Sequence, residues 1–398
     1  QGKGLEQHEI LKVQLMRGEK EQDYLTHIWN LTSMMDHPII AKEEDQDEAC
    51  YRQFYEEAIS LCRQKRFHEV LEKCRYTSLD DEEEYSIDVI QPEKIEFKQN
   101  SYEDGENSII SFPEFLLLVL DVCTGGEQPA SHYQPDKLIE KFDALKTYFT
   151  AGEFYEKMLY YRLLLDYYTI RRDIKDGQGN YSLILKGPKD DSDKLKQYQS
   201  MLYVSTEAFY NWLKPYLRKL EQDELHSCAE MLAFLKKEDN ERHSILPARK
   251  DLSYKASGNI RYWFWRLDYY LWEQRSTFFN EEEQKIVEHY VFRRNRSIEH
   301  LHPQDESHNE EWEEEAVHSF GNLAMISQSF NSQQSNDHIQ IKFARIHEQI
   351  SNKSLQSIKM FLMCKLADFN YLNWTMKLTK EHENEMIEFL ERSFYISD

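Results

Sequence analysis

Apolar residues recur at helical spacing along most of the chain. Between Trp29 and Cys74 they include Tyr51, Phe54, Tyr55, Ala58, Ile59 and Cys62, and between Glu153 and Arg172 they include Phe154, Met158, Tyr161, Leu164, Leu165 and Tyr168. Both sets fall on one face of an α-helix, so both stretches read as amphipathic helices with a buried stripe. The first residues, Gln1 to Lys12, read as a glycine-rich turn entering a helix with Leu5, Ile10, Leu11 and Leu15 on one side. Pro113 suits a first helical turn and Gly125-Gly126 a stop, which predicts a helix carrying Phe115, Leu116, Val119, Leu120 and Cys123. Further helices are expected over Asp136 to Tyr148, Lys194 to Leu220, Asp223 to Lys237, Lys353 to Asn370 and Glu381 to Phe394. Ile260 to Trp272 is so dense in aromatic residues that it predicts a helix buried on most sides.

The interruptions are as informative as the helices. Asp80 to Tyr85 and Gln99 to Asn107 are polar and acidic without a period, and read as loops around a short Ile87 to Phe97 segment. Asp176 to Asn180 reads as a hairpin turn leading into a strand-like Tyr181 to Leu185. The polar stretch Lys236 to His243, followed by Pro247, is the expected domain boundary. The chain therefore reads as mainly α, in three segments, 1–75, 76–243 and 244–398, with no internal repeat.

Composition adds a constraint. With 398 residues, 40% apolar and 13% aromatic, the chain can build a large core. Its formal net charge is −23, the wrong sign for a protein that binds nucleic acid through its whole surface. Any such binding would need a local basic stripe, for which Arg293, Arg294 and Arg296 are the candidates, or a domain outside this chain. The six cysteines are scattered without a C-x-x-C pair, which argues against paired zinc knuckles and for reduced thiols in a cytoplasm. The longest apolar run, Phe115 to Leu120, is far short of the roughly 20 residues that cross a bilayer.

Candidate chemistry gathers between Ile298 and Lys342. Glu299-His300-Leu301-His302-Pro303-Gln304 is followed by an acidic run with Trp312. Then come Gly321-Asn322-Leu323, Asn331 and Lys342. A histidine titrates near neutral pH and can take a proton from water, while Glu299 and Asn331 offer the hard oxygen ligands that Mg²⁺ prefers. Asn322, between Gly321 and an apolar strand, can pin a loop with its amide. His302 is a secondary candidate. A zinc set of His300, His302 and Asp305 fits less well, because Asp305 falls one residue late for a His-x-His-x-Asp pattern.

In order and spacing these residues resemble the His-Asn-His (HNH) ββα-metal nucleases, and specifically the C-terminal nuclease domain of GmrSD-type restriction proteins. The resemblance implies a mainly α protein with a small ββα-metal element in its C-terminal domain. One strand would lie around His300, the second over Asn322 to Ile326 and the helix over Gln340 to Ile350. It implies a metal-dependent endonuclease that hydrolyses DNA, with restriction of foreign or modified phage DNA as its role. His300 would be the base, Glu299 and Asn331 the ligands of one Mg²⁺ or Mn²⁺, Asn322 the loop lock and Lys342 a phosphate contact. The opening segment, with Gly4 and Leu5-Glu6 ahead of Glu9-Ile10-Leu11-Lys12, is similar to the end of the family's ParB-like N-terminal domain. On that reading a nucleotide-handling domain would precede Gln1. A catalytically silent HNH fold that senses DNA or regulates a defence system is the alternative.

Overall fold

The computed structural model describes residues 6–40, 42, 46–75, 105–174, 181–205, 207–294, 296–304, 312–327 and 339–395. Expectations for Asp80 to Tyr85, Ile87 to Phe97, Asp176 to Asn180, Asp305 and Asn331 lie outside these residues. The protein is mainly α. In chain order α1 (Gln7–Met16), α2 (Gln22–Ser33), α3 (Glu48–Arg63) and α4 (Phe67–Arg75) precede strand β1 (Gly105–Ser108). There follow α5 (Phe112–Cys123), α6 (Leu138–Leu145), α7 (Ala151–Tyr168), β2 (Arg171–Ile174) and β3 (Tyr181–Ile184). The remainder holds α8 (Ser192–Val204), α9 (Phe209–Glu221), α10 (Cys228–Arg242), α11 (Arg261–Glu273), α12 (Arg275–Phe278) and α13 (Glu281–Glu288). It ends with β4 (Arg296–His300), α14 (Glu314–Val317), β5 (Leu323–Ser327), α15 (Ile339–Ser351), α16 (Ile358–Leu366) and α17 (Met376–Arg392).

These elements form two compact units, one of residues 1–192 and 208–231, the other of residues 193–207 and 232–398. The division differs from the three segments expected from sequence. In the first unit α7 is buried almost all round, and its Arg162 and Asp166 are fully enclosed. Arg162 Nε donates to Asp166 Oδ1 at 2.9 Å and its remaining donors go to the carbonyls of Thr32, Met34 and His37. A buried charge is tolerable only when so paired. Here the pair stitches the irregular segment after α2 onto α7. The antiparallel order β1-β2-β3 sets Gly105 opposite Ile174 and Ile174 opposite Tyr181.

The second unit is built round α11, whose residues from Tyr262 to Trp272 are all buried. Through Lys236 to His243, where a domain boundary was expected, α10 runs unbroken to Arg242. Its polar residues are core partners, not linker. Asp239 accepts from the hydroxyls of Tyr198 at 2.6 Å and Tyr262 at 2.8 Å, and Lys236 pairs with Glu273 at 2.9 Å.

Other boundaries shift for local reasons. The stretch Lys194 to Leu220 is two helices, because the buried Ser205 turns its hydroxyl onto the Leu202 carbonyl and ends α8. Arg171 and Arg172 leave α7 for β2, and Gly105 to Asn107 belong to β1 instead of a loop. Lys353, at φ 49°, ends α15, and the next helix starts only at Ile358, capped by Ser357. The final helix begins earlier than expected, capped by Thr375.

One glycine decides how closely the second unit packs. A Cβ on Gly321 would stand 2.3 Å from the Thr379 carbonyl oxygen and 2.8 Å from Glu383 Cβ, both on α17. The packed face of a helix cannot step aside cheaply. Gly321→Ala is expected to destabilise by about 3 kcal/mol, the upper range for overpacking. Gly258→Ala, with nothing within 4 Å of its added Cβ, is the matched control in urea unfolding. Equal stability of the two variants would show that this contact can relax.

Candidate active site

β4 and β5 pair antiparallel, with Glu299 opposite Ala324 and His300 opposite Leu323. Successive side chains on a strand turn to opposite faces. Glu299 accordingly faces α15, where its Oε1 lies 2.5 Å from Lys342 Nζ, and both side chains are buried. His300 turns the other way, against the ring of Tyr254 at 4.5 Å and within 3.0 Å, from Nε2 to Nδ1, of His318. The exposed Gln304 side-chain amide donates to His300 Nδ1 at 3.0 Å. That donation leaves the Nδ1 lone pair as the acceptor and puts the ring hydrogen on Nε2, toward His318.

Asn322 holds these pieces together. Its Oδ1 accepts from His302 N at 2.8 Å and from Trp374 Nε1 at 3.2 Å; its Nδ2 donates to the carbonyls of His302 at 3.0 Å and Val317 at 2.9 Å. The residue is fully buried, so each bond replaces water that cannot reach it. His302 itself stacks flat on Trp312, the ring centroids 3.9 Å apart. Below the turn, the buried Lys359 ammonium donates to the carbonyls of Phe320 at 2.9 Å and Leu323 at 2.6 Å. Lys359 N also donates to Asp268 Oδ1 at 2.9 Å.

Electrostatics follow from burial. Enclosure lowers the His300 pKa to about 3, with smaller contributions from His318 and the Lys342 ammonium. His318 is lowered as well, chiefly by burial. His300 is therefore neutral at physiological pH, the form that can accept a proton.

Sequence spacing named Glu299, His300, Asn322 and Lys342, and the fold brings these four into one region. Lys342 is turned onto protein oxygens: its Nζ lies 2.5 Å from Glu299 Oε1 and 2.5 Å from the His300 carbonyl. The expected phosphate contact is thus, in this structure, an ion pair. Asn331 is outside the described residues, and among these no group of three or more His, Cys, Asp or Glu could hold a metal. The cradle of one carboxylate and one carbonyl around a cation does fit a hard divalent ion, which takes few protein oxygens and fills the rest with water and phosphate. His318, Trp374 and Lys359 were not singled out by sequence reasoning, and Gln304 stood in the motif without a role. For His318 the signal was weak but present, a histidine three residues ahead of Gly321-Asn322.

With this geometry in view, comparison with known proteins gives one match. Residues 237–389 match the family described as GmrSD restriction endonucleases, C-terminal domain. This part of the chain is similar to the C-terminal domain of GmrSD-type restriction proteins. The match supports a restriction-nuclease role with DNA as the substrate class. No curated protein and no solved structure matches the chain.

The region also carries a pH liability. His382 on α17 is buried, neither of its ring nitrogens has a hydrogen-bond partner among the described residues, and its ring lies 6.0 Å from that of Trp374. Burial, with the Lys359 charge, holds its pKa well below the ordinary 6.5. Below that value the unfolded chain binds a proton that the folded chain refuses, so stability falls as pH falls. The slope approaches about 1.4 kcal/mol per pH unit for one such group. His382→Met is expected to flatten the loss of unfolding free energy between pH 6.5 and 5 by about 1–2 kcal/mol. Parallel pH profiles for the two proteins would show that His382 protonates without penalty.

Proposed function

We propose that the second unit is a metal-dependent HNH endonuclease that hydrolyses DNA phosphodiester bonds, with restriction of foreign or modified phage DNA as its role and Glu299, His300, Asn322 and Lys342 at its centre. The observation that carries this reading is the His300 environment: a buried neutral imidazole, oriented through Nε2 by His318 and capped at Nδ1 by an exposed, displaceable amide. A water in place of the Gln304 amide would sit at the basic nitrogen. On proton uptake at Nδ1 the Nε2 hydrogen stays directed at His318, which holds the ring in place, as an orienting partner does in other imidazole bases. The Lys342 charge and burial make His300 a weak base alone; the negative charge of a bound phosphate acts in the opposite sense.

Glu299 would hold a Mg²⁺ or Mn²⁺ ion at the cradle now filled by the Lys342 ammonium, and Asn331 would be its second ligand. Bound there, such an ion supplies positive charge for the phosphate and the leaving oxygen. Lys342 would then be released from Glu299 toward the substrate. Asn322 acts by position, tying the exit of β4 to the residue before His318. Cytoplasmic action and coupling to an NTP-dependent N-terminal domain accompany this reading.

One observation favours the alternative, a catalytically silent DNA-sensing or regulatory module: the Glu299 carboxylate is already neutralised by Lys342. Nicking of supercoiled plasmid with Mg²⁺ or Mn²⁺ separates the two. The nuclease reading expects cutting that requires the metal, and a loss of about 10²–10⁴-fold in His300→Ala, the usual worth of a general base. Glu299→Ala should weaken cutting and recover partly with more Mn²⁺. Cutting unaltered by His300→Ala, or indifferent to chelator, would refute the assignment; binding of DNA without cutting would favour the silent module.

A further inference from the structure

The cleft beside Glu299 has a charge opposite to that of the chain. It is lined by Arg293, Arg296, Arg345 and Lys353, with Glu348 as its carboxylate, in a protein of net charge −23. Arg345 also lines the small pocket that contains Glu299 and Lys342, as do Gln349 and Gln356, so the cleft adjoins the Glu299 side of the candidate active site. Arg345 lies three residues beyond Lys342 on α15, hence on the same face one turn further along. Arg296 stands at the start of β4, four residues before His300, and its charge is shared with the buried Asp268. Arg294, by contrast, is directed away: its guanidinium donates to the Tyr203 carbonyl and lies 3.9 Å from the Tyr203 ring. Of the arginine stripe visible in sequence, two members line this cleft.

We propose that this cleft binds the phosphate backbone of DNA and leads it to Glu299, at the end of β4 where the His300 carbonyl lies. The inference rests on the nuclease reading and adds to it where the strand runs. From Lys342, in the small pocket, to the end of α15 at Ser351, beside the cleft, the helix runs for roughly 14 Å, at 1.5 Å per residue. With one charge per 3.4 Å of rise along a strand, that length matches about four nucleotides. The cations are spaced along it, whereas the hydroxyl and amide side chains between them can donate to phosphate oxygens without reading bases. A strand so held would meet the active site from the Arg345 side, with Lys342 the last cation before Glu299. Local concentration of positive charge also answers how an acidic chain grips a polyanion: phosphate attraction is screened over about 8–10 Å at physiological salt, so nearby charges dominate the distant surface.

The test is binding of a fluorescent duplex oligonucleotide to the full chain, measured by anisotropy in EDTA so that cutting does not intervene, as a function of salt. For the triple variant Arg293→Gln, Arg345→Gln, Lys353→Gln the slope of log K against log salt should become shallower by about 2–3, near 0.9 per lost phosphate contact. Affinity at low salt should fall at least tenfold. The control variant Lys250→Gln, Lys377→Gln, Lys380→Gln removes the same charge from another cleft of this unit and should keep the slope. Thermal melts of both confirm folding. An unchanged slope in the first variant, or equal losses in both, overturns the proposed path; if the unaltered protein still nicks plasmid, the nuclease reading survives that result. A wild-type chain that neither binds nor nicks DNA overturns both.

Discussion

The second unit depends on one backbone turn, Phe320 to Leu323, and on two buried side chains that hold it. Asn322 uses both ends of its amide to tie the residues after β4 to the residue before His318, while Lys359 gathers the carbonyls of Phe320 and Leu323 from below. The separation of His300 and His318 is therefore set by a third residue that touches neither ring. Burying an ammonium and an amide without full partnership would be unfavourable by several kcal/mol. Their carbonyl partners exist only if β4, β5 and α14 arrive together, so the same bonds that position the imidazoles make their arrangement all-or-none. Gly321 completes the constraint, since α17 can close over the turn only where there is no Cβ.

The alternation of a strand then distributes the chemistry. Glu299 and His300 are adjacent in sequence but face opposite sides of β4, one toward α15 and one toward Tyr254 and His318. The point of approach between them is the end of the strand, where the His300 carbonyl meets the Lys342 ammonium. A cation at that point touches oxygens from both residues. The ion pair with Lys342 thus has two physical meanings at once: it stabilises an otherwise unpaired buried carboxylate, and it occupies the oxygens that a divalent ion would use.

Much of this was readable from sequence because helices announce themselves by period. The aromatic run of α11 could only be buried, and the order of Glu299, His300, Gly321-Asn322 and Lys342 could be read as one polar set. What was hidden were polar residues with buried partners distant in sequence. Asp239 and Lys236 looked like linker because nothing local says that Tyr198, Tyr262 and Glu273 will close on them. His318 and Trp374 escaped for the same reason, since one reaches His300 and the other Asn322 across intervals that no periodicity marks. Lys342 shows the converse limit: spacing put it near the site, but only the fold shows that its charge is spent on Glu299.

The acidity of the chain and the low basicity of His300 have a common logic. A cation beside a buried imidazole depresses its pKa, and Lys342 is among the groups that do so here. An anionic phosphodiester drawn into the same place would offset that field and raise the basicity of the ring. Proton acceptance would then be favoured only with substrate present, while the unliganded site holds a neutral, weakly basic histidine. Grip supplied by a separate cationic cleft is compatible with this arrangement, because the attraction that recruits DNA need not come from charges that disable the base. Segregating the cations that hold the backbone from the one that faces His300 lets a chain with a large excess of carboxylates bind a polyanion at one place and repel it elsewhere.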